Sequence, residues 1–318
     1  MNGLFLGIDT SCYTTSVCIV DENGHIIVEE RQLLTVPSGK RGLAQSNMVF
    51  QHTKNLPVLF RKISNILSFK KLTGIAVTGM PRRLSDSYMP AFLVGRGYGE
   101  SLAAGLHLPL AVISHQENHI FAALRTHPML WQDDFYALHV SGGTTDLLKV
   151  SSASVGLAVS PIGHSLDIQA GQFIDRVGVA LEIPFPAGPA LEELAASWNK
   201  PVQPLQITVN NGLVSFSGPE SQLQRFIQQQ TYSPAVLAKM TMETISKGIC
   251  DMLAQTIVHT PIKKLVAVGG VMANRFLHSQ LTEFLAADAV TLYVTESGYS
   301  TDNASGAAYY ASRMTNGG

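Results

Sequence analysis

Short apolar runs bounded by polar turns open the chain, and they predict strands at Leu4–Ile8, Ser16–Val20 and His25–Leu33. The turns between them are Asp9-Thr10-Ser11 and Asp21-Glu22-Asn23-Gly24. Apolar residues near helical spacing (Val49, Leu56, Leu59, Phe60, Ile63) then predict a helix over Ser46–Leu67, which Pro57 is expected to bend or divide. A strand at Gly74–Thr78 and a helix near Phe92–Leu106 follow. The pattern then recurs. After a short strand, Leu110–Ile113, and a helix, His115–Arg125, come three more strands: Phe135–Val140, Thr145–Val150 and Ser154–Ser160. Helices are expected near Asp167–Leu181, Pro189–Trp198, Pro219–Gln230 and Pro234–His259. The remainder reads as a strand Leu265–Val268, a turn at Gly269-Gly270, a helix Asn274–Leu285, a strand Val290–Val294 and a closing helix Asp302–Met314. Two sets of three strands, each followed by helix–strand units, predict a duplicated α/β architecture with its ligand cleft between the two lobes.

Composition narrows the picture. With 318 residues, 46% of them apolar and 14% charged, the chain is long enough for two domains and a large core. It has no uninterrupted apolar run of the roughly 18 residues a spanning helix requires, and its start, MNGLFLGIDTS, too short and without Lys or Arg, does not read as a signal peptide. The expectation is a cytoplasmic protein without a membrane partner. Cys12, Cys18 and Cys250 show no paired spacing, which excludes a disulfide framework or a zinc–thiolate site. A net charge of −1 excludes bulk electrostatic binding of polyanions, so a nucleic-acid partner must use a local patch.

Three groups of residues could support chemistry. His115 and His119 stand four apart on a predicted helix, so both rings could ligate one cation. A zinc peptidase helix places Glu directly after the first His; here Gln116 takes that place, which leaves a peptidase without its base. Two surface or capping histidines are the plain alternative, and a third ligand would decide between them. The second group is a pair of glycine turns at strand ends, Ser141-Gly142-Gly143-Thr144 and Gly269-Gly270, where missing side chains let a phosphate or ribose approach backbone N–H groups. Neither matches a Walker A loop or a GxGxxG fingerprint. The third is acidic: Asp9, Asp146, Asp175 and Asp302, the last placed where it would serve most simply as an N-terminal helix charge and, more sharply, as a metal ligand.

In combination these residues resemble the TsaD family, once called glycoprotease or O-sialoglycoprotein endopeptidase. The resemblance rests on Leu6-Gly7-Ile8-Asp9-Thr10-Ser11-Cys12, Phe50-Gln51-His52 with Asn55-Leu56-Pro57, His115 and His119, and Val140-Ser141-Gly142-Gly143. It continues through Asp167, Ala170-Gly171, Phe173, Asp175, Gly188-Pro189-Ala190-Leu191, Phe216-Ser217-Gly218, Gly269-Gly270-Val271, Ala273-Asn274-Arg275 and Thr301-Asp302-Asn303. It implies an α/β chain with the actin-like ATPase (ASKHA) fold, two duplicated βββαβα-type lobes around a central cleft. The first lobe would be residues 1–109, completed by a C-terminal helix at about 295–318, and the second residues 110–294. It implies an acyltransferase that moves a threonylcarbamoyl group from threonylcarbamoyl-AMP to the adenosine beside the tRNA anticodon. By motif match, His115, His119 and Asp302 would bind one divalent ion, Fe2+ or Zn2+ with Mg2+ as a further alternative. Ser141, Gly142, Gly143, Asp175, Gly188 and Asn274 would hold ATP, AMP or the adenylate. The implied partners are tRNA and other threonylcarbamoyl-transfer subunits, in a heterodimer or homodimer, with a contact through Ser46–Leu67. Arg82, Arg83, Lys40, Arg41, Lys70, Lys71, Lys263 and Lys264 are candidate phosphate contacts.

The departures have a direction. Where bacterial members carry Asp-Glu after Thr-Ser-Cys, this chain has Tyr13-Thr14, so the family's acidic pair is replaced and no catalytic residue can be assigned there. Thr144 stands where the family has His or Asn, and the run Met80-Pro81-Arg82-Arg83-Leu84-Ser85-Asp86-Ser87-Tyr88-Met89-Pro90 replaces a Gly-Pro-Gly loop. Metal and nucleotide residues are kept while acceptor-facing ones change, the pattern of a divergent paralogue. Its alternatives are a carbamoyl or acyl-adenylate transferase acting on another acceptor, and a nucleotide-binding, non-catalytic partner of the true transferase.

Overall fold

The computed structural model describes residues 3–37, 42–84, 86–153, 156–257, 260–296 and 298–314. Lys40, Arg41, Ser85, Ser154 and His259, named above, lie outside them. By its internal contacts the chain divides into one unit of residues 1–131, 153–156 and 295–318 and another of residues 132–152 and 157–294.

The first unit begins with the expected meander, β1 (Leu4–Asp9), β2 (Thr14–Asp21) and β3 (Ile26–Leu33), followed by helix α1 (Gln45–Ser64), strand β4 (Leu72–Met80), helix α2 (Pro90–Leu106), strand β5 (Leu110–Ser114) and helix α3 (His115–Leu124). Its five-stranded sheet runs β3-β2-β1-β4-β5, antiparallel through the meander and parallel from β1 to β4 to β5. Apolar β1 lies at the centre, while half-exposed β3 takes the edge. Against one face α1 and α2 bury a core that includes Leu6, Ile8, Val17, Leu56, Leu59, Ile63 and Val77. Pro57 does not divide α1. Its missing N–H affects the carbonyl one turn earlier, at Thr53, and both residues are on the exposed side, where water can serve that carbonyl. Through β5 on β4, and α3 behind it, residues 110–124 group with this first unit.

The second unit repeats the plan with β6 (Phe135–Val140), β7 (Thr145–Ser152), β8 (Leu157–Ser165), helices α4 (Ala170–Ala180) and α5 (Gly188–Ala196), a hairpin β9 (Thr208–Asn210) and β10 (Leu213–Ser215), helices α6 (Ser217–Gln228) and α7 (Pro234–Thr256), strand β11 (Lys264–Val268), helix α8 (Arg275–Ala286) and strand β12 (Thr291–Val294). Its sheet order is β12-β11-β6-β7-β8-β10-β9. Without the hairpin that is the first sheet's order once more, so the duplication read from the sequence is present in the topology. The hairpin was not foreseen, although Asn211-Gly212, with φ of 51° and 77°, is a strong hairpin signal. It extends the sheet by pairing β10 with β8. Helix α4 begins at Ala170 and not at Asp167, because the Asp167 carboxylate is engaged elsewhere: it accepts the hydroxyls of Ser215 and Ser217, each at 2.6 Å, and the N–H of Phe216 at 2.9 Å.

The closing helix α9 (Ser305–Met314) returns to the first sheet, packing on β1 and β2 and against α3. It starts at Ser305, three residues later than predicted, because Asn303 Oδ1 accepts the Ser305 N–H and hydroxyl at 2.9 and 2.6 Å. Asp302 is therefore outside the first turn, and its reading as a helix-terminal charge does not hold.

Candidate functional site

Helix α3 has a polar sequence at its start and yet all ten of its residues are buried. Ser114 caps it, accepting the Glu117 N–H at 3.2 Å, while Glu117 Oε2 accepts the Ser114 N–H and hydroxyl at 2.8 and 2.7 Å. The other oxygen of Glu117 accepts Arg83 Nε at 2.7 Å. Glu117 is thus committed to the cap and to the loop before α2, a second reason against a peptidase base. Asn118 ties the helix to the chain end: its Nδ2 donates to Asn303 O at 2.6 Å, and its Oδ1 accepts the Ala307 N–H at 2.7 Å.

This frame sets three donors on one point. The Nε2 atoms of His115 and His119 are 3.1 Å apart, and Asp302 Oδ1 lies 3.5 Å from the first and 3.6 Å from the second. An ion bonded at about 2.1 Å to donors separated by right to tetrahedral angles holds them about 3.0–3.4 Å apart, so the trio fits a divalent ion with little movement. Asp9 stands behind it, with Oδ2 3.8 Å from His115 Nδ1 and 3.3 Å from Asn118 Nδ2, and with Oδ1 accepting Thr78 Oγ1 at 2.5 Å and the Ser11 N–H at 2.8 Å. At 3.8 Å Asp9 is an electrostatic neighbour of His115 and not a hydrogen-bond partner.

Burial and neighbouring charges shift two of the three groups. Burial, with His119 beside it, pulls His115 below the ordinary imidazole value, against the opposing pull of Asp9 and Asp302. Burial pushes Asp302 up, but the His119 hydrogen bond, the charges of both histidines and the Tyr13 N–H outweigh it and hold the carboxyl below the ordinary aspartate value. A neutral imidazole and an ionised carboxylate are the forms a metal needs. Tyr13 therefore supports Asp302 through its backbone, and its hydroxyl lies 2.8 Å from where a Cβ on Gly42 would stand. Thr14 is buried at the start of β2. Asp9, Asn118 and Thr78 complete the surroundings; of these only Asp9 stands out in the sequence, whereas the other two need the three-dimensional arrangement.

In the second unit the nucleotide candidates cluster around strand and helix ends. Ser141 to Thr144 close the β6–β7 turn, with the Ser141 N–H donating to Thr144 O at 2.8 Å. The first turn of α4 backs directly onto it: a Cβ on Gly171 would lie 2.6 Å from Ser141 O and 2.7 Å from Gly142 N. Gly142 and Gly143 face open space. Burial raises the Asp175 carboxyl, against the Ala187 N–H that donates to it at 2.8 Å, next to Gly188 at the start of α5. Asn274 caps α8 by accepting the Leu277 N–H at 2.9 Å, and the neighbouring Arg275 N–H donates to Glu192 of α5 at 2.7 Å. Asp146, also singled out above, is buried on β7 opposite His139. Several helix N-termini and a bare glycine turn suit an anion.

The basic residues divide. Lys70, Lys71 and Lys263 are exposed, but Arg83 is bound to Glu117, and Lys264 to Asp133 at 2.5 Å. Among the described residues no helix is long and apolar enough to cross a membrane.

Comparison with known proteins gives these observations a context. In its fold the chain is similar to HypF from T. kodakarensis (TM-score 0.63, 14% identity, 99% of this chain and 47% of that one). It is similar too to component A of the Acidaminococcus fermentans (R)-2-hydroxyglutaryl-CoA dehydratase (TM-score 0.57, 15% identity, 99% of both chains). These are actin-like ATPase folds, and that fold is shown here. In sequence it is 26% identical over 313 residues to the tRNA N6-adenosine threonylcarbamoyltransferase of Thermosipho melanesiensis, covering 95% of this chain and 91% of that one. To the protein of the same name from Chlorobium chlorochromatii it is 28% identical over 324 residues, covering 95% and 89%. A family profile described as TsaD, tRNA N6-adenosine threonylcarbamoyltransferase, matches residues 40–309. That match covers most of the chain, and the chain belongs to the TsaD family of tRNA-modifying transferases.

Proposed function

We propose that the protein transfers a threonylcarbamoyl group from threonylcarbamoyl-AMP to the N6 amine of the adenosine beside the tRNA anticodon, in a reaction that depends on a divalent ion. The observation that supports this most strongly is the trio His115, His119 and Asp302, drawn from α3 and the segment before α9 and held by Asp9, Asn118 and Tyr13. Two imidazoles and one carboxylate with open positions suit Fe2+ or Zn2+ better than Mg2+, which prefers oxygen. Such an ion supplies Lewis acidity to a carbonyl.

The chain's own residues would bind and orient the substrate. Ser141, Gly142, Gly143 and the α4 N-terminus would receive phosphate; Asp175, Gly188 and Asn274 would hold the nucleoside. The amine nitrogen attacks the carbamoyl carbon, a C–N bond forms, the C–O bond to phosphate breaks, AMP leaves with the electron pair, and the amine loses one proton. Exposed Lys70, Lys71 and Lys263 and the partly buried Arg82 would meet tRNA phosphates, while Arg83 and Lys264 are committed to carboxylates. Other threonylcarbamoyl-transfer subunits and a cytoplasmic location belong to the same reading.

A second reading, transfer to a different acceptor, is favoured by Tyr13 and Thr14 and by the Arg83 contact of the altered loop with Glu117. The two are separated by supplying labelled threonylcarbamoyl-AMP with unmodified tRNA and following the label. Incorporation at the adenosine supports tRNA as acceptor; AMP release without tRNA labelling supports another.

Two further outcomes are expected. Gly143→Val should leave stability within about 1 kcal/mol, because its Cβ meets open space, yet weaken nucleotide binding at least about tenfold by filling the turn. Equilibrium dialysis with AMP, alongside thermal melting, checks both. Metal affinity should fall on acidification, as protons compete for the donors, with the share due to His115 appearing only below the ordinary imidazole value of 6.5. Metal titrations at pH 7.5, 6.5 and 5.5 read the sign; affinity that rises as pH falls would contradict the ligand set.

A further inference from the structure

His115 and His119 ride on a buried helix, whereas Asp302 sits on a non-helical stretch with Gly298 and Thr301 exposed and Gly298 at φ +89°. Such a stretch does not by itself hold a carboxylate in place. Three residues before Asp302, however, the Tyr299 ring meets two guanidinium groups, those of Arg31 from β3 and Arg125 from the end of α3, each 4.7 Å from its centroid. Both arginines are themselves fixed. Arg31 donates through Nε and Nη2 to the two oxygens of Glu29 at 2.7 and 2.8 Å, and through Nη1 to Gly298 O at 2.6 Å. Arg125 Nη2 donates to Glu296 at 2.5 Å. On the other side of Asp302, Asn303 Nδ2 donates to the carbonyls of Tyr299 and Thr301, each at 2.8 Å, and Asn303 O accepts Asn118 from the histidine helix.

We propose that Tyr299, gripped by Arg31 and Arg125, is a positioning residue that sets the Asp302 carboxylate against the histidine pair and so determines the affinity of the site for a divalent ion. The inference rests on the metal reading above. The ring faces two cations at once, and cation–π attraction needs only the aromatic face, so a phenylalanine serves where an aliphatic residue does not. The phenol is half-buried and its proton is held more tightly than in water, chiefly by burial, so it stays a neutral ring under the arginines.

Cobalt(II) binding to the full chain tests this, followed by visible absorption, which reports coordination directly and needs no turnover. Tyr299→Leu is expected to weaken cobalt binding by roughly 10–100-fold, the usual scale for groups behind a ligand, and to move the spectrum toward that of Asp302→Ala. Tyr299→Phe should stay within about threefold of the unaltered protein. In an Asp302→Ala background Tyr299→Leu should add less than about threefold, because the residue acts through that carboxylate. Unchanged affinity in Tyr299→Leu overturns the proposal, and so does an equal loss with and without Asp302, which would mark a general loosening. Should Tyr299→Leu fail to fold, Arg31→Gln removes one side of the grip and is held to the same two criteria. Absence of cobalt binding in the unaltered protein overturns the metal reading and this one with it, whereas binding that ignores Tyr299 overturns this one alone.

Discussion

His119→Ala is expected to abolish metal-dependent turnover while the protein stays folded. Loss of one of three ligands removes about 3 kcal/mol or more of binding energy, judged from the 10–16 kcal/mol of four-ligand zinc sites, so metal affinity should drop at least about 100-fold. The two remaining donors, His115 and Asp302, lie 3.5 Å apart and cannot restore the set. The fold survives because the Asp302 carboxylate keeps the Tyr13 N–H and His115 keeps Asp9, so no charge is stranded. Destabilisation of about 1–3 kcal/mol is the expected scale for removing one buried polar group. Metal analysis after dialysis, together with thermal melting, checks both halves. Full metal content in the variant would remove His119 from the site.

The second large effect concerns stability. Gly306 lies where α9 crosses α3, and a Cβ built there would collide with the backbone carbonyl of Asn118 and come within 2.7 Å of the Ala122 N–H. Backbone cannot yield as a flexible side chain can. Gly306→Ala should therefore cost about 3 kcal/mol or more, the upper range for overpacking, and push the two helices apart. Because Asn118 stands between the two histidines and also holds Asn303, the displacement passes directly to the trio. Lower thermal stability and weaker metal binding are expected together. An unchanged melting temperature would mean that α3 and α9 leave room for a methyl group at Gly306.

Much of this arrangement was legible in the amino-acid sequence, for physical reasons. The two strand triplets stand out because buried strands need apolar runs and the turns between them need polar residues and glycine, and the two sheets repeat one order. The histidine pair was legible because a spacing of four fixes neighbours on a helix. Asp302 is different. It lies some 180 residues further along the chain, and only the α3–α9 contact brings it to the histidines, so the residues alone offered it as one of four acidic candidates and the family resemblance paired it with the histidines. The helix starts expected at Asp167 and Asp302 lie later in the chain, because the Asp167 carboxylate is taken by Ser215 and Ser217 and because Asn303 caps the last helix at Ser305. The short hairpin at Asn211-Gly212 escaped for lack of length, although its turn was spelled out. The commitment of Arg83 to Glu117 and the grip on Tyr299 depend on side-chain placement, which composition does not encode.

Threonylcarbamoyl transfer to tRNA is tested most directly by measuring label that enters tRNA from radiolabelled threonylcarbamoyl-AMP. The purified protein is stripped with a chelator, then assayed with and without added Fe2+ or Zn2+, in the presence and absence of the other threonylcarbamoyl-transfer subunits, beside His119→Ala. Metal-dependent transfer requires that label appear at the adenosine next to the anticodon only when metal is restored, and that His119→Ala transfer none. Label that never enters tRNA in any combination, or that enters equally well in the stripped protein and in His119→Ala, would contradict it.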